Sequence, residues 1–165
     1  MGANKKSRSK GYRPRQVCID SAAWAISGSF TLPISTQREL MAPVDTAMRQ
    51  LQMATANRDD WNVLANGLNI AEALCGQNIG NNLLSKILSG QSALHAVAIR
   101  MIPTGSSTCK GCEITDILEA VDMYRIQLNL CSQAELSRAV RRVKNLHRSG
   151  AMADVAKIYE KMAAL

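Results

Sequence analysis

The residues best suited to chemistry are two cysteines in the segment CKGC, Cys109 and Cys112. Two thiolates separated by two residues can bind one tetrahedral zinc ion, so this spacing forms half of a zinc site. Cys131 and His147 could supply the other half only if the ends of two helices met. The pair could also act as a redox dithiol at a helix start, or be free thiols in a loop. We expect the loop, without a metal or a cofactor.

The two histidines are not accompanied by a recognisable catalytic motif. The sequence contains no Gly-x-Ser-x-Gly, P-loop or Gly-x-Gly-x-x-Gly segment. His95 falls near the apolar stripe of a predicted helix, which is typical of a hydrogen-bonded structural histidine. His147 lies at a predicted helix C-terminus, where positive charge is favourable. We therefore predict a non-enzymatic protein without catalytic residues.

Positive charge is concentrated in two segments, residues 1–16 and residues 138–148. The chain carries 20 Lys and Arg against 13 Asp and Glu, a net charge of +7. Outside these segments nine cations face all thirteen acids, so the remainder of the chain is mildly acidic. The candidate residues for binding a partner or nucleic acid are Lys5, Lys6, Arg8, Lys10, Arg13, Arg15, Arg138, Arg141, Arg142, Lys144 and Arg148.

The second segment is predicted to be the outer side of a helix. Its arginines lie opposite a stripe that contains Leu136, Val140 and Val143. A solvated helix face has the same pattern, but it ordinarily mixes acids with the cations so that i to i+4 pairs form. Because acids are missing here, the pattern favours a surface that binds an acidic partner or phosphates.

Residues 1–16 are predicted to be a disordered basic arm, and residues 17–165 a helical domain. The arm either contacts nucleic acid or an acidic surface, or serves as a solubilising terminus. Tyr12 is the only aromatic residue near it on which a base could stack, and no homeodomain, zinc-finger or RNA-recognition signature is present. Sequence-specific recognition of nucleic acid is therefore not supported.

Helices are predicted throughout the domain, and no segment alternates as a strand does. Scarce aromatic residues and eight methionines suit packed helices. After a short helix at 21–30, the predicted helices begin near Thr36, Asp60, Asn82, Cys112, Ser132 and Ala151. The expected fold is all-α, a single-domain bundle of about six helices packed as antiparallel hairpins.

Local signals support several of these helices. Thr36 with Glu39, and Ser132 with Glu135, have the spacing of capping boxes. Gly90 costs its helix about 1 kcal/mol relative to alanine, and it can permit a close helix crossing. The predicted inward positions include Leu84, Leu88 and Leu146 among others.

The chain is expected to be soluble and cytoplasmic. Asp20 interrupts the apolar stretch 17–33, and no other segment approaches the roughly 20 apolar residues of a membrane helix. Five cysteines without an export signal indicate reduced thiols. We therefore expect no membrane partner, while the oligomeric state is left open.

Part of the sequence resembles a known group of proteins. The resemblance rests on Tyr12-Arg13-Pro14-Arg15, Asp20, Trp24-Ala25-Ile26, Gly28, Leu32-Pro33 and the segment TANRDDWNVLANGLNIAEAL. These motifs look like those of small uncharacterised proteins of proteobacterial plasmids, prophages and integrative elements. The resemblance implies an accessory protein that binds and modulates or inhibits a host protein or nucleoprotein complex, as anti-CRISPR proteins do. The alternative is a small nucleic-acid-binding protein that uses the same cations.

Overall fold

Five α-helices make up most of residues 28–149, which are the residues that this computed structural model describes. The helices are α1 (Ile34–Gln52), α2 (Arg58–Cys75), α3 (Leu84–Thr104), α4 (Gly111–Leu130) and α5 (Gln133–Arg148), with a 3-10 turn at Asn81–Leu83. One isolated bridge, Thr31 to Ser132, is the only β-type pairing in this part of the chain. The all-α class is confirmed. The arm, the 16/17 boundary, nearly all of the 21–30 helix and the helix from Ala151 lie outside the described residues.

The capping signals of the sequence have mixed outcomes. Ser132 Oγ accepts the Glu135 N–H at 3.3 Å, and Glu135 Oε2 accepts the Ser132 N–H at 2.7 Å, so this capping box is confirmed. The capping box predicted at Thr36 is wrong. Helix α1 begins earlier, at Ile34, because the Pro33 carbonyl already accepts the Gln37 N–H at 3.0 Å, and no side chain caps it.

Helix α2 also begins before its predicted first residue. The Asn57 side chain accepts the Asp59 and Asp60 N–H groups at 2.7 and 3.0 Å, and Asp60 Oδ2 accepts the Asn57 N–H at 2.9 Å. Asp60 is therefore the third residue of the helix, where its carboxylate closes a capping box with Asn57.

Helix α2 is the centre of the bundle, since it packs against α1, α3, α4 and α5. Its side chains Leu64, Leu68, Ala71 and Leu74 are 0–1% exposed. Because α3 and α5 each pack on α2, the two helices stand on either side of it.

A buried amide ties α4 to the end of α2. Gln127 is fully buried, and its Nε2 donates to the carbonyls of Ala71 at 3.1 Å and Ile79 at 2.8 Å. The carbonyl of Ala71 lies in α2 and that of Ile79 in the turn that follows, so one side chain positions both segments against α4.

Helices α3 and α4 cross at Gly90. A Cβ atom added to Gly90 would lie 2.3 Å from the Ala120 Cβ and 3.0 Å from the Asp116 carbonyl oxygen. The predicted close crossing is thus confirmed. Ion pairs flank it, with Lys86 Nζ 2.7 Å from a Glu119 oxygen, and with Arg100 bound to Glu113 farther along.

None of the helices in residues 28–149 is both long enough and apolar enough to cross a bilayer.

Replacing Gly90 with alanine should destabilise the protein. Alanine improves helix propensity by about 1 kcal/mol, but a 2.3 Å approach to the Ala120 Cβ forces two helix backbones apart. Overpacking of this kind costs about 1–3 kcal/mol, so we expect a lower melting temperature in thermal unfolding followed by circular dichroism. Gly111→Ala is the matched control, because no atom lies within 4 Å of its Cβ position. It should leave stability unchanged or slightly raised, whereas a Gly90→Ala protein as stable as the wild type would contradict the crossing.

Candidate interaction surface

The outer side of α5 carries a group of cations that we call the cationic face. It consists of Arg138, Arg141, Arg142, Lys144 and Arg148, all of which are exposed. None of them forms an ion pair with a carboxylate in residues 28–149. Arg138 instead donates from Nε to the Gln77 side-chain oxygen, a neutral group, at 3.0 Å. Five positive charges on one helix thus have no ion-pair partner within the described residues.

The apolar side of α5 explains why these cations point outward. Leu136, Ala139 and Val143 are buried, as the sequence predicts. Glu135, the only acid in the helix, is held by the backbone N–H and the hydroxyl of Ser132, and these hydrogen bonds lower the pKa of Glu135. The carboxylate therefore serves mainly as the cap at the start of the helix, and of the cationic face it interacts electrostatically with Arg138.

Three carboxylates of the described residues form ion pairs between the other helices. Glu119 pairs with Lys86 of α3, and Asp45 pairs with Arg125 of α4 at 2.8 Å. Glu113 pairs with Arg100 of α3. These contacts tie α1, α3 and α4 together and leave the cations of α5 unpaired.

A groove of about 690 Å³ lies beside the cationic face, between α3 and α5. Small residues of α2 form its floor, among them Ala65, Ala73 and Gly76. A second depression of about 490 Å³ on α5 shares Arg142 and Leu146 with the groove. The cationic face therefore adjoins the groove at these two residues.

Three leucines that the sequence places inward are exposed at this groove. Leu84 is 36% exposed, Leu88 44% and Leu146 40%, and all three line it. The prediction that they face inward is wrong because the apolar side of α3 and that of α5 are each wider than the part that α2 and α4 can bury. In α3, Ile87, Leu94 and Met101 face the core, and Leu84 and Leu88 lie beside that stripe.

His95 is also exposed at the groove and its side chain forms no hydrogen bond within residues 28–149, so the prediction of a hydrogen-bonded structural histidine is wrong. One turn before His95 on α3, the Gln91 side chain donates to Glu72 Oε2 of α2 at 2.9 Å. This amide and carboxylate are polar groove residues that sequence reasoning missed. The only sequence signal for these two groove residues is their position beside the apolar core stripe of their own helices.

The CKGC cysteines are not brought together with the other candidate zinc ligands. Cys112 is exposed at the start of α4, whereas Cys131 is buried beyond its far end. A helix of 20 residues is about 30 Å long, and this length separates the two. His147 is exposed in the last turn of α5. Residues 28–149 contain no group of three or more side chains placed to hold a metal ion.

Burial also disfavours thiolate chemistry at these cysteines. It raises the pKa of Cys109, whose Sγ lies 3.6 Å from the Ser107 carbonyl, and it raises the pKa of Cys131 to about 11. Both thiols are protonated at neutral pH and are therefore weak nucleophiles. The cationic face is therefore a stronger candidate for a functional site than the CKGC segment.

The cations of the arm, at positions 5, 6, 8, 10, 13 and 15, lie outside the described residues. Comparisons with protein-family models, curated proteins and solved structures found no match.

Arg100 and Glu113 form the best-buried ion pair among those of the described residues. Arg100 Nη1 donates to Glu113 Oε1 at 2.8 Å and Nη2 donates to Oε2, while the Lys110 N–H donates to Oε2 at 2.8 Å. Chiefly through Arg100, these hydrogen bonds lower the pKa of Glu113 below its usual 4.5. The folded state therefore favours the ionised carboxylate.

Glu113→Gln should reduce the stability of the protein at neutral pH and should make that stability less dependent on pH in the acidic range. Hydrogen bonds to charged groups contribute about 1.5–3 kcal/mol, and partial exposure of Arg100 reduces this to about 1–2 kcal/mol. The pKa of Glu113 is lower in the folded protein than in the unfolded chain. Its contribution to the free energy of unfolding is therefore complete above the unfolded-state pKa and is lost as the pH falls through the folded-state pKa. The difference between the two proteins in urea unfolding should thus shrink below about pH 4.5.

The control is Glu119→Gln, which removes an exposed pair and should cost less than about 0.5 kcal/mol. A stability difference for Glu113→Gln that stays constant from neutral pH to about pH 3 would contradict the assignment.

Proposed function

We propose that this chain is a non-enzymatic interaction protein of a bacterial mobile element. It binds a host protein or nucleoprotein complex through the cationic face and modulates or inhibits that complex, as an anti-CRISPR protein does. The observation that supports binding is the set of exposed α5 cations without a carboxylate partner in residues 28–149. The mobile-element setting rests on the sequence resemblance alone.

Uncompensated charge on a rigid helix is suited to recognition. Like charges held side by side repel one another in the free protein, and an acidic surface relieves that repulsion on binding. Such a surface also speeds association by attracting its partner over a distance of about one Debye length. Because α5 is anchored by Leu136, Ala139 and Val143, the cations keep a defined arrangement.

The apolar groove favours protein over nucleic acid as the primary partner. Phosphate contacts require cations but no exposed leucines, whereas the core of a protein interface is apolar. Base stacking requires exposed aromatic side chains. Near the groove, Trp61 is only 6% exposed, and the described part of α5 contains no Phe, Tyr or Trp.

The alternative function is a small nucleic-acid-binding protein that uses the same cations on phosphates. Five adjacent positive charges without acids between them support it. In either case the arm cations, a cytoplasmic location and a bundle of about six helices packed as antiparallel hairpins belong to the proposal.

The proposal is tested by neutralising the cationic face. We expect Arg141→Gln, Lys144→Gln and Arg148→Gln, combined in one protein, to weaken binding to the host complex at least about tenfold, since three long-range attractions are removed. The wild-type protein is first used to capture its partner from nuclease-treated host lysate. Affinity for the identified partner is then measured by surface plasmon resonance.

The matched control combines Arg38→Gln, Arg49→Gln and Arg58→Gln, which are exposed cations of α1 and α2. It has the same net charge as the first variant and should bind nearly as the wild type does. Equal losses in both variants would show that net charge alone matters, and would refute a specific surface. Capture that disappears with nuclease, together with duplex or RNA affinity that falls steeply with salt, would favour the alternative.

A further inference from the structure

We infer that the groove between α3 and α5 binds an amphipathic helix of the partner protein, with acidic residues on the edge of that helix that lies along α5. This inference deepens the proposed function and rests on it. It assigns the groove one kind of occupant, a helical segment with an apolar side and a negatively charged flank.

The shape of the groove matches a helix. Its lining extends along α2 from Trp61 to Gly76 and along α3 from Leu84 to His95. At 1.5 Å per residue these stretches measure about 22 and 16 Å, the length of three to four helical turns. Two helices on either side of a third leave a slot, and the small side chains of Ala65 and Ala73 let another helix approach the floor.

The walls of the groove supply the apolar contacts. Leu84 and Leu88 lie one turn apart on α3, and Leu146 lies on α5 across from them. A helix with leucine-like side chains at i, i+3, i+4 and i+7 would cover all three, which is the usual pattern of helix-in-groove recognition. Burial of these exposed leucines supplies the driving force for binding.

The two edges of the groove differ in charge, which specifies the flank of the occupant. The α5 edge carries Arg142, whose Nη1 lies 2.8 Å from the position of a Cβ on Gly76, and the rest of the cationic face continues outward from it. The lining residues of α3 include no Lys, Arg, Asp or Glu, and the one acid that lines the groove, Glu72 of α2, accepts a hydrogen bond from Gln91 of α3 at 2.9 Å. An acidic flank is therefore attracted along α5, and a basic flank is repelled there.

The direct test uses two synthetic helical peptides of 16 residues as probes. Both carry leucines at i, i+3, i+4 and i+7, and they differ only in having glutamates or lysines on the flanks. Binding to the full-length protein is measured by fluorescence anisotropy of a terminal label at about 0.15 M salt. We expect the glutamate peptide to bind at least about tenfold more tightly than the lysine peptide. Equal affinities, or no binding of the glutamate peptide, would overturn the inference.

Two exposed positions of the protein provide a matched pair of variants. Leu88→Glu places a negative charge inside the groove and should weaken binding of the glutamate peptide at least about tenfold. Ile126→Glu makes the same kind of change on α4, at 42% exposure against 44% for Leu88, and should have no effect. Both positions are exposed, so neither change should unfold the protein. Equal loss in both variants, or none in Leu88→Glu, would place the peptide elsewhere.

Other occupants give distinct results. If residues 150–165 of the same chain filled the groove, Val155→Glu in the full-length protein would increase peptide affinity severalfold. If a second copy filled it, the wild-type protein would dimerise in sedimentation experiments and Leu88→Glu would be monomeric. Either result would overturn the inference.

The groove and the proposed function can fail separately. If Leu88→Glu retains wild-type affinity for the captured partner while the triple α5 variant loses it, the cationic face is upheld and the groove inference fails. If the triple variant binds the partner normally, the proposed function fails, whatever the peptides show.

Discussion

The central position of α2 is the constraint on which the rest of the structure depends. One helix of 18 residues must contact four neighbours, so most of its circumference is buried. It meets this demand with leucines where space allows and with Gly67 and Ala71 where neighbours come close. The strip that remains open is the floor of the groove, and the direction of α5 follows from its packing on the same helix.

The distribution of ion pairs divides the molecule into two parts. Carboxylates of α1 and α4 are bound to arginines and a lysine inside the assembly of α1, α3 and α4, where they support packing. Helix α5 is joined to the others mainly through apolar side chains and the Gln77 amide, which binds Arg138 and the Glu135 carbonyl, and none of its cations forms an ion pair within residues 28–149. Charge thus has a structural role in one part and is available for recognition in the other.

The sequence predicted several features that depend on neighbouring residues, although it placed the starts of α1 and α2 too late, and it missed features that depend on distant residues. The helical class, the Ser132 capping box and the buried side of α5 follow from spacing within one segment, as does the outward placement of the α5 cations. The exposure of Leu88 and His95 could not be predicted in this way, because it depends on where α5 stands relative to α3. Gln127 was also missed, since its partners on α2 and the following turn are about fifty residues away.

The attachment of α5 through one narrow apolar stripe has an evolutionary consequence. Residues on its outer side make few contacts with the remainder of the described fold, so substitutions there seldom alter stability. Selection can therefore change these residues freely, one after another, while the underlying scaffold is preserved. Under the proposed function, the binding specificity of this helix can therefore change as its target changes, while the helical scaffold stays the same.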